Sequence, residues 1–248
     1  MNFIPMNPKQ LIFPFAIDQY PRFDNFYHSH IQQLIYSLSR SLQESTESEF
    51  IMTGTERSGK SFLLQAICNE YKLIDKQAFY LPMKVAINME PDFIENFDIY
   101  DALCIDDVHL LHHHPKWQEM IFHLINQSKE NKCNLYFGTE ESILELDLLP
   151  DLSSRLSRMQ SLHILSVPDD KLKEALTFCA AKLEISLDHE VIDYLLKREK
   201  REFQHLFCLL KHLDQASAQQ KRKITIPFAK QILLSSVSYT HLRAHETR

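Results

Sequence analysis

Gly54-Thr55-Glu56-Arg57-Ser58-Gly59-Lys60-Ser61 sets the frame for every other segment of this chain. It satisfies the pattern G-x-x-x-x-G-K-[ST] at every fixed position. Just upstream, Phe50-Ile51-Met52 reads as a buried strand; just downstream, Phe62, Leu63, Ala66 and Ile67 recur at helical spacing. Strand, loop and helix therefore follow in the order that a phosphate cradle requires. Backbone N–H groups of such a loop and of the first helical turn converge, and the helix dipole adds positive potential, so the loop suits a polyphosphate. Gly54, Ser58 and Gly59 are its expected wall, Lys60 is expected to reach the outer phosphates, and the Ser61 hydroxyl to hold Mg²⁺. Only three glycines occur in the whole chain, and two of them fall here, where the backbone needs freedom that other residues lack.

The 248 residues suffice for one large domain or two modest ones. With 44% hydrophobic and 24% charged residues, the composition is that of an ordinary globular protein. No apolar run approaches the ~18–20 residues of a membrane helix, and the N-terminus lacks a basic region followed by an apolar core. A cytoplasmic location without membrane association is expected. Cys68, Cys104, Cys133, Cys179 and Cys208 are scattered without a C-x-x-C pair, which predicts reduced, mostly buried cysteines and no zinc site. The formal charge of −6 argues against a protein whose main work is to grip nucleic acid.

Residues 1–20 are too short to have a core of their own. Within them, Gln10-Leu11-Ile12-Phe13-Pro14-Phe15 is a compact apolar peptide that proline keeps extended. It fits equally an arm packed on its own domain and a docking peptide whose Leu11 and Phe15 enter a partner's pocket. Residues 21–167 alternate strand and helix. Ile31, Leu34, Ile35 and Leu38 mark an amphipathic helix, and Ala78–Leu81, Ala102–Ile105 and Asn134–Phe137 read as strands. Trp117–Lys129 carries Met120, Ile121, Leu124 and Ile125 on one helical face. Repeated units of this kind predict an α/β fold: a mainly parallel sheet with helices on both faces, and ligands at the carboxyl ends of its strands. From 168 to 234 only helical patterns appear, opened by Pro168-Asp169-Asp170, so this part is expected to be a small all-helical subdomain. Residues 235–248, ending SVSYTHLRAHETR, lack an apolar period and are read as a non-native tail; removing them leaves the chain more acidic still.

Four further features carry chemistry. Asp106 and Asp107 follow the strand Ala102–Ile105; one carboxylate there can hold Mg²⁺ and the next can polarise water. Thr139 ends the following strand, beside Glu140, where a polar group can sense a terminal phosphate. Arg155, in Leu149-Pro150-Asp151-Leu152-Ser153-Ser154-Arg155-Leu156, can act on a phosphate held by a neighbour, with Arg158 as the competing candidate. Arg201, read as the start of a helix Arg201–Leu213, could reach back to the phosphates, flanked by Arg198 and Lys200. His109 and His112-His113-His114 invite a metal, but consecutive histidines point in different directions, and exposed loop residues are the expectation.

Taken in order, GTERSGKS, the Asp106-Asp107 strand, Thr139, LPDLSSRL and a late arginine-bearing helix resemble the AAA+ ATPases of the DnaA-like branch, and within them the DnaA regulatory inactivators of the Hda family. QLIFPF is similar to that family's clamp-binding peptide of the kind QL-x-L-P-L, LPDLSSRL to its arginine-finger segment, and REFQHLFCLLKHLDQAS with RKITIPFAKQIL to its closing helices. The resemblance covers roughly residues 9–234. It implies an AAA+ P-loop sheet with a helical lid, holding ADP or ATP with Mg²⁺ through Gly54, Ser58, Gly59, Lys60, Ser61, Thr139 and Arg201, with Ser61 and Asp106 on the metal. It further implies that Gln10, Leu11, Phe13, Pro14 and Phe15 dock the DNA polymerase III β sliding clamp. On the same resemblance Arg155 stimulates hydrolysis of ATP held by the initiator DnaA, contact with DNA is indirect, and self-association is compatible with the fold. The chain departs from the pattern at Phe13 and Phe15, bulkier than leucine, at Arg158-Met159-Gln160, where the family often has Trp-Gly, and at Asp107, a second acid that some members lack.

Two other readings fit parts of this pattern. A DnaA-type initiator or helicase loader would use ATP itself and act on DNA or helicase, an initiator through a helix-turn-helix module after the lid. A metabolic P-loop kinase would want a substrate-binding insertion. Any ATPase activity of the chain's own is expected to be weak.

Overall fold

The computed structural model describes residues 18–27, 38–40, 42, 48–91 and 99–243, with side chains as far as Leu234. Gln10, Leu11, Phe13, Pro14 and Phe15, the positions Ile31, Leu34 and Ile35, and residues 244–248 lie outside the described residues. The chain divides into two compact units: one contains Leu34–Thr53 and Lys60–Leu162 with the segment ending at Phe23, the other Asp24–Gln33, Gly54–Gly59 and His163–Arg248.

The first unit is built on β1 (Glu49–Thr53), β2 (Ala78–Pro82), β3 (Ala102–Asp106), β4 (Asn134–Thr139) and β5 (Gln160–His163), in the order β2-β3-β4-β1-β5. The pairs β1–β4, β2–β3 and β3–β4 are parallel, with Met52 opposite Gly138, Pro82 opposite Asp106 and Ile105 opposite Phe137. Every residue of β3 and β4 is buried, as expected where helices cover both faces of a parallel sheet. Pro82, which has no N–H to donate, ends the edge strand β2. The expected strands and helices of this unit are present where they are described. The short edge strand β5, however, was not anticipated: most of its side chains are exposed, so it lacks the apolar signature of its neighbours.

Helix α1 (Lys60–Leu73) buries Leu63, Leu64, Ile67, Cys68 and Tyr71 along one stripe. The single turn α2 (Met83–Ala86) follows β2, and α3 (Pro115–Asn131) opens with proline at its first position, where the missing N–H costs nothing, and ends at Lys132 in the left-handed region (φ 55°). Trp117, Ile121, Leu124 and Ile125 of α3 join Leu103, Ile105, Leu135 and Phe137 in one core, which Leu152 and Leu156 of α4 (Pro150–Leu156) also enter. Met159 fills this core directly after α4, and the backbone around Arg158 is a turn closed by Arg158 N–H and Met159 N–H on the carbonyls of Arg155 and Leu156.

The second unit carries α5 (Leu172–Lys182), α6 (His189–Arg198), α7 (Phe203–Gln220) and α8 (Ile226–Arg243). Leu176, Cys179, Val191, Leu195, Leu206, Leu210 and Phe228 make its core. The α7–α8 turn passes through Lys221 in the left-handed region, and Arg222 stacks over Phe228. The backbone of α8 stays helical beyond Leu234 as far as Arg243. No helix among the described residues is long and apolar enough to cross a membrane. The five cysteines are free, with Cys208 alone exposed, and burial pushes the Cys133 thiol up to about 12.

Candidate nucleotide-binding and trans-acting site

The backbone of the loop Gly54–Ser61 explains its residue choice. Arg57 (φ 64°) and Gly59 (φ 106°) both take positive φ, and at Gly59 a side-chain carbon would also come within 2.8 Å of the Phe26 ring. The Ser58 N–H closes the turn on the Thr55 carbonyl, while the Ser58 hydroxyl is buried with no hydrogen-bond partner among the described residues. A buried orphan hydroxyl is costly unless something satisfies it, and an oxygen-rich anion in the loop would do so. Lys60, at the head of α1, is buried, whereas Ser61 is exposed. The loop's fit to a phosphate rests on these features.

Within the same unit, the outward face of the loop meets a charged cluster. Arg57 forms an ion pair with Glu202, which also pairs with Lys200 at 2.7 Å. The Arg57 guanidinium, and after it Lys200, hold the Glu202 carboxyl down at about 2. Arg201 requires a correction: it precedes the helix rather than starting it, because Glu202 is extended (φ −135°, ψ 123°) and α7 begins at Phe203. Its guanidinium forks onto Asp169, Nε to Oδ1 at 2.7 Å and Nη2 to Oδ2 at 2.8 Å. Asp169 thus occupies, in this structure, the donors expected to meet a phosphate.

At the sheet end of the other unit, Asp106 is almost fully buried. Its Oδ2 accepts the Tyr80 hydroxyl hydrogen at 2.8 Å and its Oδ1 accepts the Asp107 N–H at 3.0 Å. Tyr80 escaped the sequence reading: its position, two residues before the Pro82 that faces Asp106 in the sheet register, is visible only once β2 and β3 are paired. Burial, and secondarily the Asp106 charge, push the Tyr80 phenol well above its ordinary value. Asp107 lies in the left-handed region (φ 57°) and is half-buried; its carboxyl is raised by burial first and then by the charges of Asp106 and Glu140, with His109 acting in the opposite direction.

Thr139 is fully buried, and its hydroxyl donates to the Glu141 carbonyl at 3.0 Å, closing the turn after β4. Glu140 N–H points at His109 Nδ1 (3.4 Å), and side-chain atoms of Asp107, His109 and Glu140 lie within 4.8 Å of one another. The histidines are not simply exposed loop residues: they sit on and beside a 3₁₀ helix (Val108–His113), and only His113 is exposed, while His112 Nδ1 lies 2.9 Å from the His109 carbonyl.

Residues 17–162 match the family model of the bacterial DnaA ATPase domain, and residues 169–233 match that of the Hda lid domain. The chain belongs to the Hda/DnaA-like family of AAA+ proteins. An uncharacterized protein of Haemophilus influenzae is 31% identical over 227 residues, which is 91% of this chain and 98% of that one. Among solved structures, domain III of the Thermotoga maritima replication initiation protein DnaA superposes with a TM-score of 0.73 at 16% identity, over 89% of this chain and 98% of that one. AMPPCP-bound DnaA from Aquifex aeolicus gives 0.65 at 20% identity, over 79% and 65% of the two chains. These likenesses establish the fold. In this DnaA-like chain the arginine of LPDLSSRL falls on the last turn of α4, half-buried, and its guanidinium has no ion-pair partner among the described residues; Arg158 is more exposed.

Proposed function

We propose that this DnaA-like AAA+ protein is a negative regulator of replication initiation that stimulates hydrolysis of ATP held by DnaA. The carrying observation is Arg155: Leu152 and Leu156 anchor its helix in the core, while its charge is left uncompensated by any acid among the described residues. A half-buried guanidinium without an ion-pair partner, on a helix anchored in the core, is poorly explained by stability and well suited to a charge supplied from outside. Brought to a partner's ATP, it would offset negative charge developing on the transferring phosphoryl group, an effect of roughly 10³–10⁵-fold where an arginine is supplied in trans. The Hda-type lid match favours this reading over a self-sufficient initiator or loader.

Gly54, Ser58, Gly59, Lys60 and Ser61 would hold this protein's own nucleotide, ADP or ATP, with Thr139 and Arg201 as further contacts and Ser61 and Asp106 toward Mg²⁺. Mg²⁺ held there would offset the charge of the phosphates. Asp107 leaves room for a weak ATPase activity of the chain's own. Gln10, Leu11, Phe13, Pro14 and Phe15 would dock the sliding clamp, so that DNA is contacted through the clamp. The test is ATP hydrolysis by DnaA with this protein, the clamp and DNA, together and with each omitted. Stimulation that requires all of them and disappears in Arg155→Ala, with ADP and clamp binding retained, bears the proposal out. Full stimulation by Arg155→Ala ends it.

A further inference from the structure

Helix α4 has only seven residues, and its preceding residue, Leu149, has no side-chain oxygen with which to cap it. So short a helix is not self-supporting, and the placement of Arg155 depends on what holds the helix start. The holding group comes from another element. Gln118 of α3 is buried, and its Oε1 accepts the Leu149 N–H at 2.7 Å. Its Nε2 donates to the Leu111 carbonyl at 2.9 Å and the His112 carbonyl at 3.4 Å, at the end of the 3₁₀ helix that begins directly after Asp107. One buried amide therefore clamps two segments to α3: the one leaving the Asp106-Asp107 strand end and the one entering the Arg155 helix. Both its N–H donors and its acceptor are engaged, so the glutamine has one geometry and cannot be replaced by an apolar side chain without releasing the Leu149 N–H.

We propose that Gln118 is a positioning residue for Arg155, an amide bracket that fixes the finger helix relative to the strand end bearing Asp106 and Asp107. This rests on the trans-acting reading of Arg155 given above. Catalysis by a supplied charge is sensitive to placement, so a shift on the order of 1 Å in α4 lowers the stimulated rate by about tenfold to a hundredfold. The shift leaves the affinity for partner and nucleotide nearly unchanged, since neither binding surface is removed.

The test is a double-mutant cycle with Gln118→Met, Arg155→Lys, which keeps a charge and a measurable rate, and the combination, read as the maximal rate of DnaA ATP hydrolysis and the concentration giving half of it. Gln118→Met is expected to lower the maximal rate with little change in half-saturating concentration or ADP affinity, and to have a clearly smaller effect when Arg155 is already lysine. An equal fold-loss in both backgrounds, or no loss, overturns the inference. If Gln118→Met fails to fold, Gln118→Ala, which also withdraws the acceptor from Leu149 and leaves room for water at the freed groups, is carried through the same cycle under the same criteria. Amide exchange at Leu149 in the protein alone separates the two levels of the argument. Faster exchange in the variant, with no stimulation by the wild type, sinks the trans-acting reading and leaves the bracket standing. Unchanged exchange overturns the bracket itself.

Discussion

Gly138 stands against the carboxylate of Asp106: a side-chain carbon at position 138 would lie 2.6 Å from Asp106 Oδ1 and 2.9 Å from Leu64 Cδ1. The third glycine of the chain thus serves no turn. It is the space in β4 into which the buried acid of β3 fits, between the neighbouring strand and α1.

Gly138→Ala is therefore expected to displace the Asp106 carboxyl. Overpacking at such a site costs about 1–3 kcal/mol, to be read from urea unfolding, and nucleotide affinity should fall more in the presence of Mg²⁺ than in its absence. An affinity loss independent of Mg²⁺ would argue against Asp106 as the metal-facing acid.

Tyr80→Phe removes the hydroxyl that donates to Asp106 Oδ2. The cost at neutral pH should be about 1.5–3 kcal/mol, as for a hydrogen bond to a charged group. The phenol's folded value is raised above its ordinary 10.0, so its contribution is complete below pH 10 and is lost as pH rises toward the folded value. The stability difference between wild type and Tyr80→Phe should accordingly shrink in alkali, which equilibrium unfolding across pH 8–11 measures.

Ser58→Ala separates stability from binding. Its hydroxyl has no partner among the described residues, so deleting it should leave the nucleotide-free protein as stable or up to about 1 kcal/mol more stable. ADP affinity, measured by calorimetry, should fall, and Lys60→Ala should abolish it. A loss of stability in nucleotide-free Ser58→Ala would mean that the hydroxyl has a partner within the protein.

Arg57→Ala should release Glu202. The Glu202 carboxyl, held at about 2 against an ordinary 4.5, contributes stability above pH 4.5 that is lost as pH falls toward 2. In the variant its titration, followed by carboxyl NMR, should move upward, with Lys200 still keeping it below 4.5. No movement would place the control of Glu202 elsewhere.

Much of this architecture is local and was legible as such. The loop Gly54–Ser61, the apolar runs that become β3 and β4, and the helix stripe through Ile121 and Ile125 are patterns of period and punctuation within a few residues. The edge strand β5 was missed because an exposed strand has no apolar run, and the start of α7 was misplaced because Arg201 is drawn to an acid 32 residues away.

The chemistry of single residues determined the motif, the order of strand, loop and helix, and the residue types able to meet phosphate and metal, since these follow from backbone conformation and side-chain valence along one stretch. The partners of those residues emerge with the folded arrangement alone: Tyr80 and Gly138 around Asp106, Asp169 on Arg201, Gln118 between Leu111 and Leu149. Such pairings join segments distant in the chain, and they are set by sheet register and burial, where an unsatisfied polar atom is too costly to leave alone.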